Sequence, residues 1–172
     1  MRHLTLIRHA KSSHDSLTLP DRLRPLNARG LRDAPLVGRH LKLAHGFRPD
    51  LMVSSPANRA ITTARAIAGE IGYDPDRIRL EERIYEAPVE FLLAVVQGLP
   101  DSAAHACLTG HNPGTELFTQ LLCGSRAVSG VVTCAVIMLE LNIAKWSQAT
   151  SGGAKLQHFL TPALLGLTKE LD

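Results

Sequence analysis

At 172 residues the chain is long enough for one domain that buries most of its apolar surface, and short for two. Its 45% hydrophobic and 20% charged residues exclude the disordered class, and no apolar run reaches the length of a membrane span. The net charge of +3 conceals an asymmetry: residues 1–65 hold twelve Lys/Arg against four Asp/Glu, a balance of +8, and residues 66–172 hold seven against twelve, a balance of −5.

A basic half invites a nucleic-acid reading, but neither aromatic interleaving nor a zinc knuckle accompanies it, so no nucleic-acid partner is expected. A compact anion such as a phosphoryl group matches it better. Cys107, Cys123 and Cys134 are odd in number, lack metal-type spacing and lie in apolar neighbourhoods, as reduced buried thiols do. The first strand-like segment meets Arg8 too early to be a signal-peptide core. A cytoplasmic protein with no membrane partner is expected.

In chain order, residues 4–10 read as a short apolar strand that stops at Arg8-His9, and residues 11–25 as a polar loop. Ala28–His45 carries helical spacing closed by Gly46, and a start near Leu31 puts Pro35 in the first turn. Residues 50–54 form a second strand. Ser55 then reads as an N-cap and Pro56 as the first position of a helix over residues 56–69. Arg59 lies about one turn in, where the helix dipole disfavours a cation, so a functional compensation is expected there. Residues 78–81 predict a third strand, 88–99 a helix and 105–109 a fourth strand running into Gly110-His111-Asn112-Pro113-Gly114, with a helix after it. Residues 131–141 predict a central strand, and 145–150 with 155–160 an edge hairpin around Ser151-Gly152-Gly153. Trp146 reads as a packing residue, and residues 162–171 as a short helix. The alternation of strands and helices predicts an α/β fold whose mainly parallel sheet is covered on both faces.

Three predicted strand ends carry chemistry: Arg8-His9, Ser54-Ser55-Pro56 with Arg59 beyond, and His111-Asn112. Strand ends of a parallel sheet share one edge, so these groups can converge. Helix N-termini near Pro56 and Pro113 add free N–H groups suited to a phosphate, and two guanidiniums add planar donor forks. Two histidines in an anion pocket allow one to attack and one to stabilise.

The runs Leu6-Ile7-Arg8-His9-Ala10-Lys11-Ser12, Ser54-Ser55-Pro56-Ala57-Asn58-Arg59-Ala60 and Gly110-His111-Asn112-Pro113-Gly114 resemble the signature blocks of the histidine phosphatase (phosphoglycerate mutase-like) superfamily. The Arg24–Gly30 run Arg-Pro-Leu-Asn-Ala-Arg-Gly and Ile84-Tyr85-Glu86-Ala87 are similar to SixA-type phosphohistidine phosphatases. The resemblance implies one domain over 1–172, a three-layer αβα sandwich with an antiparallel C-terminal edge, and a metal-independent phosphatase without a cofactor. It implies His9 as a nucleophile that is transiently phosphorylated, within a pocket made by Arg8, Arg59 and His111, and beside a bound phosphate His111 is expected to be cationic. Ser12 and Asn112 are expected to touch phosphate. Glu82, three residues before Tyr85, is the expected general acid, with Glu86 competing. A phosphohistidine-bearing protein is the favoured substrate; a small-molecule phosphomonoesterase and a non-catalytic phosphate-binding module are the alternatives. Leu23, where related small members tend to have Asp and this chain has Asp21 two positions earlier, and His14 depart from the family pattern in the loop flanking the mouth, and they bear on substrate choice and not on phosphoryl transfer.

Overall fold

The computed structural model describes residues 1–124 and 126–167. Strand β1 (Arg2–Arg8) sends Leu4 and Leu6 into one apolar cluster and Ile7 into another, so it must be covered on both faces. Helices α1 (Ala28–His45) and α2 (Asn58–Ile71) cover one face through residues such as Val37, Leu41, Ala64 and Ile67. Helices α3 (Val89–Gln97) and α4 (Gly114–Cys123) cover the other through Leu92, Val96, Phe118 and Leu122. The result is the three-layer αβα sandwich expected.

The other strands are β2 (Leu51–Ser54), β3 (Arg79–Leu80), β4 (His105–Gly110), β5 (Val136–Leu141) and β6 (Ala154–Leu160). Among the described residues they form one sheet with β1, in the order β3-β2-β4-β1-β5-β6. The first four strands run parallel, and β5 and β6 add an antiparallel edge. Register places Arg8 opposite Gly110 and Ser54 opposite Thr109. Three strands therefore end level, on one edge, where ligands of open α/β sheets bind.

Several boundaries differ from expectation. Helix α1 starts at Ala28, because the Asn27 side chain accepts the Gly30 N–H at 3.0 Å as a true N-cap. Pro35 is therefore an interior residue, and its bond to the Leu31 carbonyl is forgone. Helix α2 starts at Asn58, two residues after Pro56, and runs on to Ile71, where Gly72 turns left-handed at φ +77°. Residues 131–135 are not strand: Cys134, at φ +62°, turns the chain and donates its N–H to the carbonyls of Arg8 and His9 before β5 begins. Strand β5 lies between β1 and β6, off the centre of the sheet.

The predicted hairpin of residues 145–150 with 155–160 does not form, since β6 pairs with β5 instead. Trp146–Gln148 is a 3-10 turn, anchored by a fully buried Trp146 whose indole N–H donates to the Ala103 carbonyl at 2.8 Å. Gln148 Oε1 accepts the N–H groups of Ala144 and Lys145, which satisfies that backbone without a partner strand. At the C-terminal end, Ala163–Leu165 is a single 3-10 turn ended by Gly166. The remainder of the expected helix, from residue 168, lies outside the described residues.

The loop leaving β1 is folded back by the Ser12–Leu26 bridge, by Ser13 N–H donating to Pro25 and by Asn27 N–H donating to Lys11. This brings α1 so close that a Cβ at Gly30 would lie 2.2 Å from the Lys11 carbonyl oxygen. Gly30→Ala is expected to destabilise the fold by about 2–3 kcal/mol in urea unfolding. Gly69→Ala, on the exposed side of α2 with nothing within 4 Å, is expected to stabilise it by about 0.5–1 kcal/mol.

Candidate active site

His9 follows β1 and is held from both sides of the sheet. Its N–H donates to Gly110 at 2.9 Å, and its carbonyl accepts from Cys134 at 3.0 Å. The side chain is 7% exposed. Nδ1 lies 2.7 Å from the Ala10 carbonyl, which can only accept, so Nδ1 carries the proton. Nε2 is then a lone-pair acceptor, and Arg59 Nε donates to it at 3.3 Å. Burial pushes the imidazole pKa down to about 3, and the nearby His111, Arg59 and Arg8 press the same way against the Ala10 bond. His9 is thus a neutral imidazole with Nε2 free of a proton.

His111 stands beside it, with ring centroids 5.1 Å apart. Its Nε2 shares a 2.8 Å hydrogen bond with Ser55 Oγ, and that hydroxyl also accepts the Ala57 N–H. Burial lowers the His111 pKa to about 4, with Arg59 next in effect, so in the site as it stands this ring is neutral, not cationic. Ser55, expected as a helix N-cap, instead orients His111.

Arg8 gives one arm, Nη1, to the Val131 carbonyl at 2.8 Å. Val131 is itself fixed: Asn112 Nδ2 donates to the same carbonyl, and the Val131 N–H donates to Glu116 Oε2 at 3.0 Å. Arg8 Nε and His111 Nδ1 are buried and have no hydrogen-bond partner within the protein. Both face the cost of unpaired burial unless an acceptor comes to them.

Arg59 is 5% exposed and sits in the first turn of α2 against the sense of the dipole. The expected compensation is Asp21, in the 3-10 turn Asp21–Leu23. Its Oδ2 accepts from Arg59 Nη2 at 3.0 Å, and its backbone carbonyl accepts from Arg59 Nη1 at 2.8 Å. The Tyr85 hydroxyl donates to the same Oδ2 at 2.6 Å, and Arg24 Nε donates to Oδ1 at 3.0 Å. Tyr85, then Arg59 and Arg24, hold this carboxyl well below the usual carboxylate range. Tyr85 also meets the His111 ring edge-on at 5.6 Å. Thr63 completes the frame, accepting the Ala10 N–H and donating to the Arg59 carbonyl.

The structure therefore brings together Arg8, His9, Arg59 and His111, gives Ser55 at the same strand ends a bond to His111, and adds Asp21, Thr63 and Tyr85, whose parts in the site the sequence did not disclose. Arg59's breach of the dipole rule signalled that a compensation was needed without naming Asp21 as its source. Other expected members are elsewhere employed. Asn112 clamps Val131 and caps Glu116 through Oδ1. Ser12 Oγ accepts from Arg24 at 2.9 Å, which ties down the loop. Glu82 is exposed and takes both arms of Arg22, one at 2.9 Å, and this pairing lowers its pKa. A general acid needs the opposite shift. Glu86 has a left-handed backbone, φ +50°, and with His111 borders a cavity of about 510 Å³ between α3 and α4. Cys107 and Cys134 are fully buried and burial raises their pKa values, so neither supplies a thiolate.

Two guanidiniums and two neutral imidazoles on the strand ends of a mainly parallel sheet define a phosphate-handling α/β protein. Comparison with known proteins narrows that class: the chain matches the Histidine phosphatase superfamily (branch 1) over residues 4–98 and belongs to that family. An uncharacterised chloroplastic protein of Arabidopsis thaliana is 30% identical, over 94% of this chain and 78% of that one. A putative phosphohistidine phosphatase SixA from Agrobacterium tumefaciens superposes with a TM-score of 0.79 at 26% identity, covering 94% of this chain and 98% of the other. A protein histidine phosphatase SixA complexed with tungstate shares the fold, with a TM-score of 0.81 at 19% identity over 95% and 99% of the two chains. The chain is a phosphatase, a hydrolase acting on a phosphorylated substrate. Among the described residues no helix is long and apolar enough to cross a membrane.

The lowered imidazole pKa values set a pH dependence. Unfolded histidines take up protons near pH 6.5, whereas folded His9 and His111 do so only near 3 and 4. Their contribution to stability is complete above pH 6.5 and is lost progressively as pH falls toward those values. The urea midpoint is expected to drop from pH 7.5 to pH 5, and both rings are expected to show neutral NMR shifts at pH 5.5. A titration of either near 6.5 would contradict the assignment.

Proposed function

We propose that the chain hydrolyses its substrate through a covalent phosphohistidine on His9, and that this substrate is a phosphohistidine-bearing protein. The observation that carries the first part is the His9 ring itself: a neutral imidazole, tethered at Nδ1, with its Nε2 lone pair turned to a guanidinium. Such a ring is nucleophilic at physiological pH. Phosphoryl transfer asks the protein chiefly for in-line positioning and charge neutralisation.

In the first step the Nε2 pair forms the bond to phosphorus, and the bond to the leaving group breaks with its electron pair going to that group. Arg59 Nε, which occupies the Nε2 lone pair before substrate arrives, transfers its hydrogen bond to a phosphoryl oxygen. Arg8 Nε and His111 Nδ1, the buried atoms without protein partners, are the further donors. With Ser55 donating to His111 Nε2, a neutral His111 carries its proton on Nδ1, as this role requires. In the second step water attacks phosphorus, the Nε2–P bond breaks, and inorganic phosphate leaves with His9 restored.

The favoured substrate follows from the acid chemistry. Asp21 and Glu82 are both held ionised and are poor proton donors. An alkoxide leaving group needs a proton from such a donor, whereas imidazole departs from phosphohistidine with less help. Buried free thiols at Cys107 and Cys134 suit the reducing environment of a cytoplasmic enzyme.

Turnover of a phosphohistidine-bearing protein domain tests the reading. His9→Ala is expected to abolish it, and Arg8→Ala or Arg59→Ala to lower kcat/KM by about 10²–10³. Retention of activity within tenfold in His9→Ala refutes the covalent route. Faster turnover of sugar or aryl phosphates than of phosphohistidine refutes the substrate assignment.

A further inference from the structure

The charge pattern of the site is layered. Arg59 lies buried and Arg8 half-buried at the floor, beside imidazoles that carry no charge. Joined to Arg59 is Asp21, whose side chain is 44% exposed and whose carboxylate takes Arg59 and Tyr85 on Oδ2 and Arg24 on Oδ1. Glu86 is exposed, has a left-handed backbone and lines the cavity that His111 borders. The arginines around this rim are matched: Arg24 by Asp21, Arg22 by Glu82 and Arg83 by Glu81. Taking Arg8, Arg59 and Arg24 against Asp21, the floor and its nearest rim residues carry two positive charges in excess. A phosphoryl dianion balances these. A second anion close to the phosphoryl linkage meets Asp21 or Glu86, and a cation there meets their opposite charge.

We propose that Asp21, assisted by Glu86, is a specificity-determining residue that selects phosphoryl groups joined to cationic or uncharged groups and rejects those with a second anionic group beside the linkage. This rests on the phosphatase reading above and extends to O-linked as well as N-linked phosphates. The imidazolium of a protonated phosphohistidine is one such cationic partner, and a phosphorylated amine is another. Asp21 does this without touching the reacting atoms: its carboxylate fixes Arg59 from the rim, and its half-exposed negative charge offsets that of the arginines it joins.

Phosphoethanolamine and 2-phosphoglycolate test it. They share the phosphate ester of a small primary alcohol and are close in size, but one bears an ammonium and the other a carboxylate. Each is measured as a competitive inhibitor of phosphohistidine turnover, so that neither needs to be a substrate. In the native chain phosphoethanolamine is expected to bind about tenfold more tightly. Asp21→Asn keeps a hydrogen-bond acceptor for Tyr85 and Arg59, and is expected to reduce the ratio of the two Ki values at least fivefold. Glu86→Gln is expected to reduce it less, and Asp21→Glu to preserve it. Any general loss from a shifted Arg59 cancels in the ratio, as a merely structural role for Asp21 requires. An unchanged ratio in Asp21→Asn with turnover retained, or tighter binding of 2-phosphoglycolate by the native chain, overturns this inference alone. Absence of turnover of every phosphorylated compound in the native chain overturns the phosphatase reading with it.

Discussion

The 2.7 Å hydrogen bond between His9 Nδ1 and the Ala10 carbonyl is the constraint on which the site turns. It fixes the tautomer and leaves Nε2 as the only position for new bond formation. It depends in turn on a strand end held rigidly, by Gly110 on one side and Cys134 on the other. The left-handed turn at Cys134 and the covering of β1 on both faces serve that end. A flexible loop could carry the same dipeptide without fixing which nitrogen faces the phosphoryl group.

Around this bond the protein accumulates costs that only its chemistry explains. A buried and a half-buried guanidinium stand beside two imidazoles, and Arg8 Nε and His111 Nδ1 lack partners within the fold. Arg59 is oriented against a helix dipole. Asp21 offsets part of that charge, and the backbone carbonyls of Val131 and Asp21 take one arm from each arginine. Glu116 and Asn112 hold Val131 in place, so residues remote from His9 contribute to where Arg8 points. The breaches at Arg8, His111 and Arg59 cluster at one edge of the sheet, which is where a binding function concentrates strain.

What the sequence disclosed followed from periodicity and from strand ends. Short apolar runs at β1, β2 and β4, alternating with helical spacing between them, suffice for a parallel sheet covered on both faces. Arg8, His9, Arg59 and His111 were legible because each stands at or just beyond a strand end. The long-range partners were less so. Asp21 reaches Arg59 across 38 positions, through a polar loop whose path depends on Gly30 and on the Ser12–Leu26 bridge. Ser55 carried a plausible local role as a helix cap, which hid its bond to His111. Glu82 has the right spacing to Tyr85, but Arg22 lies 60 residues away and its claim on that carboxylate has no local signal. Trp146 was read rightly as a packing residue, but the region after residue 130 misled because β-branched content does not show where Cys134 turns the chain, nor that Trp146 sits in a 3-10 turn and not in a strand.

The central claim is that Nε2 of His9 is the atom that takes the phosphoryl group. The most direct measurement is a rapid alkaline quench of the native enzyme during turnover, with the linkage assigned by ³¹P NMR and the residue by peptide mass spectrometry. The account predicts one phosphorylated residue, His9, with phosphorus bonded to Nε2. Phosphate on Nδ1, on His111 or on any other side chain would contradict it.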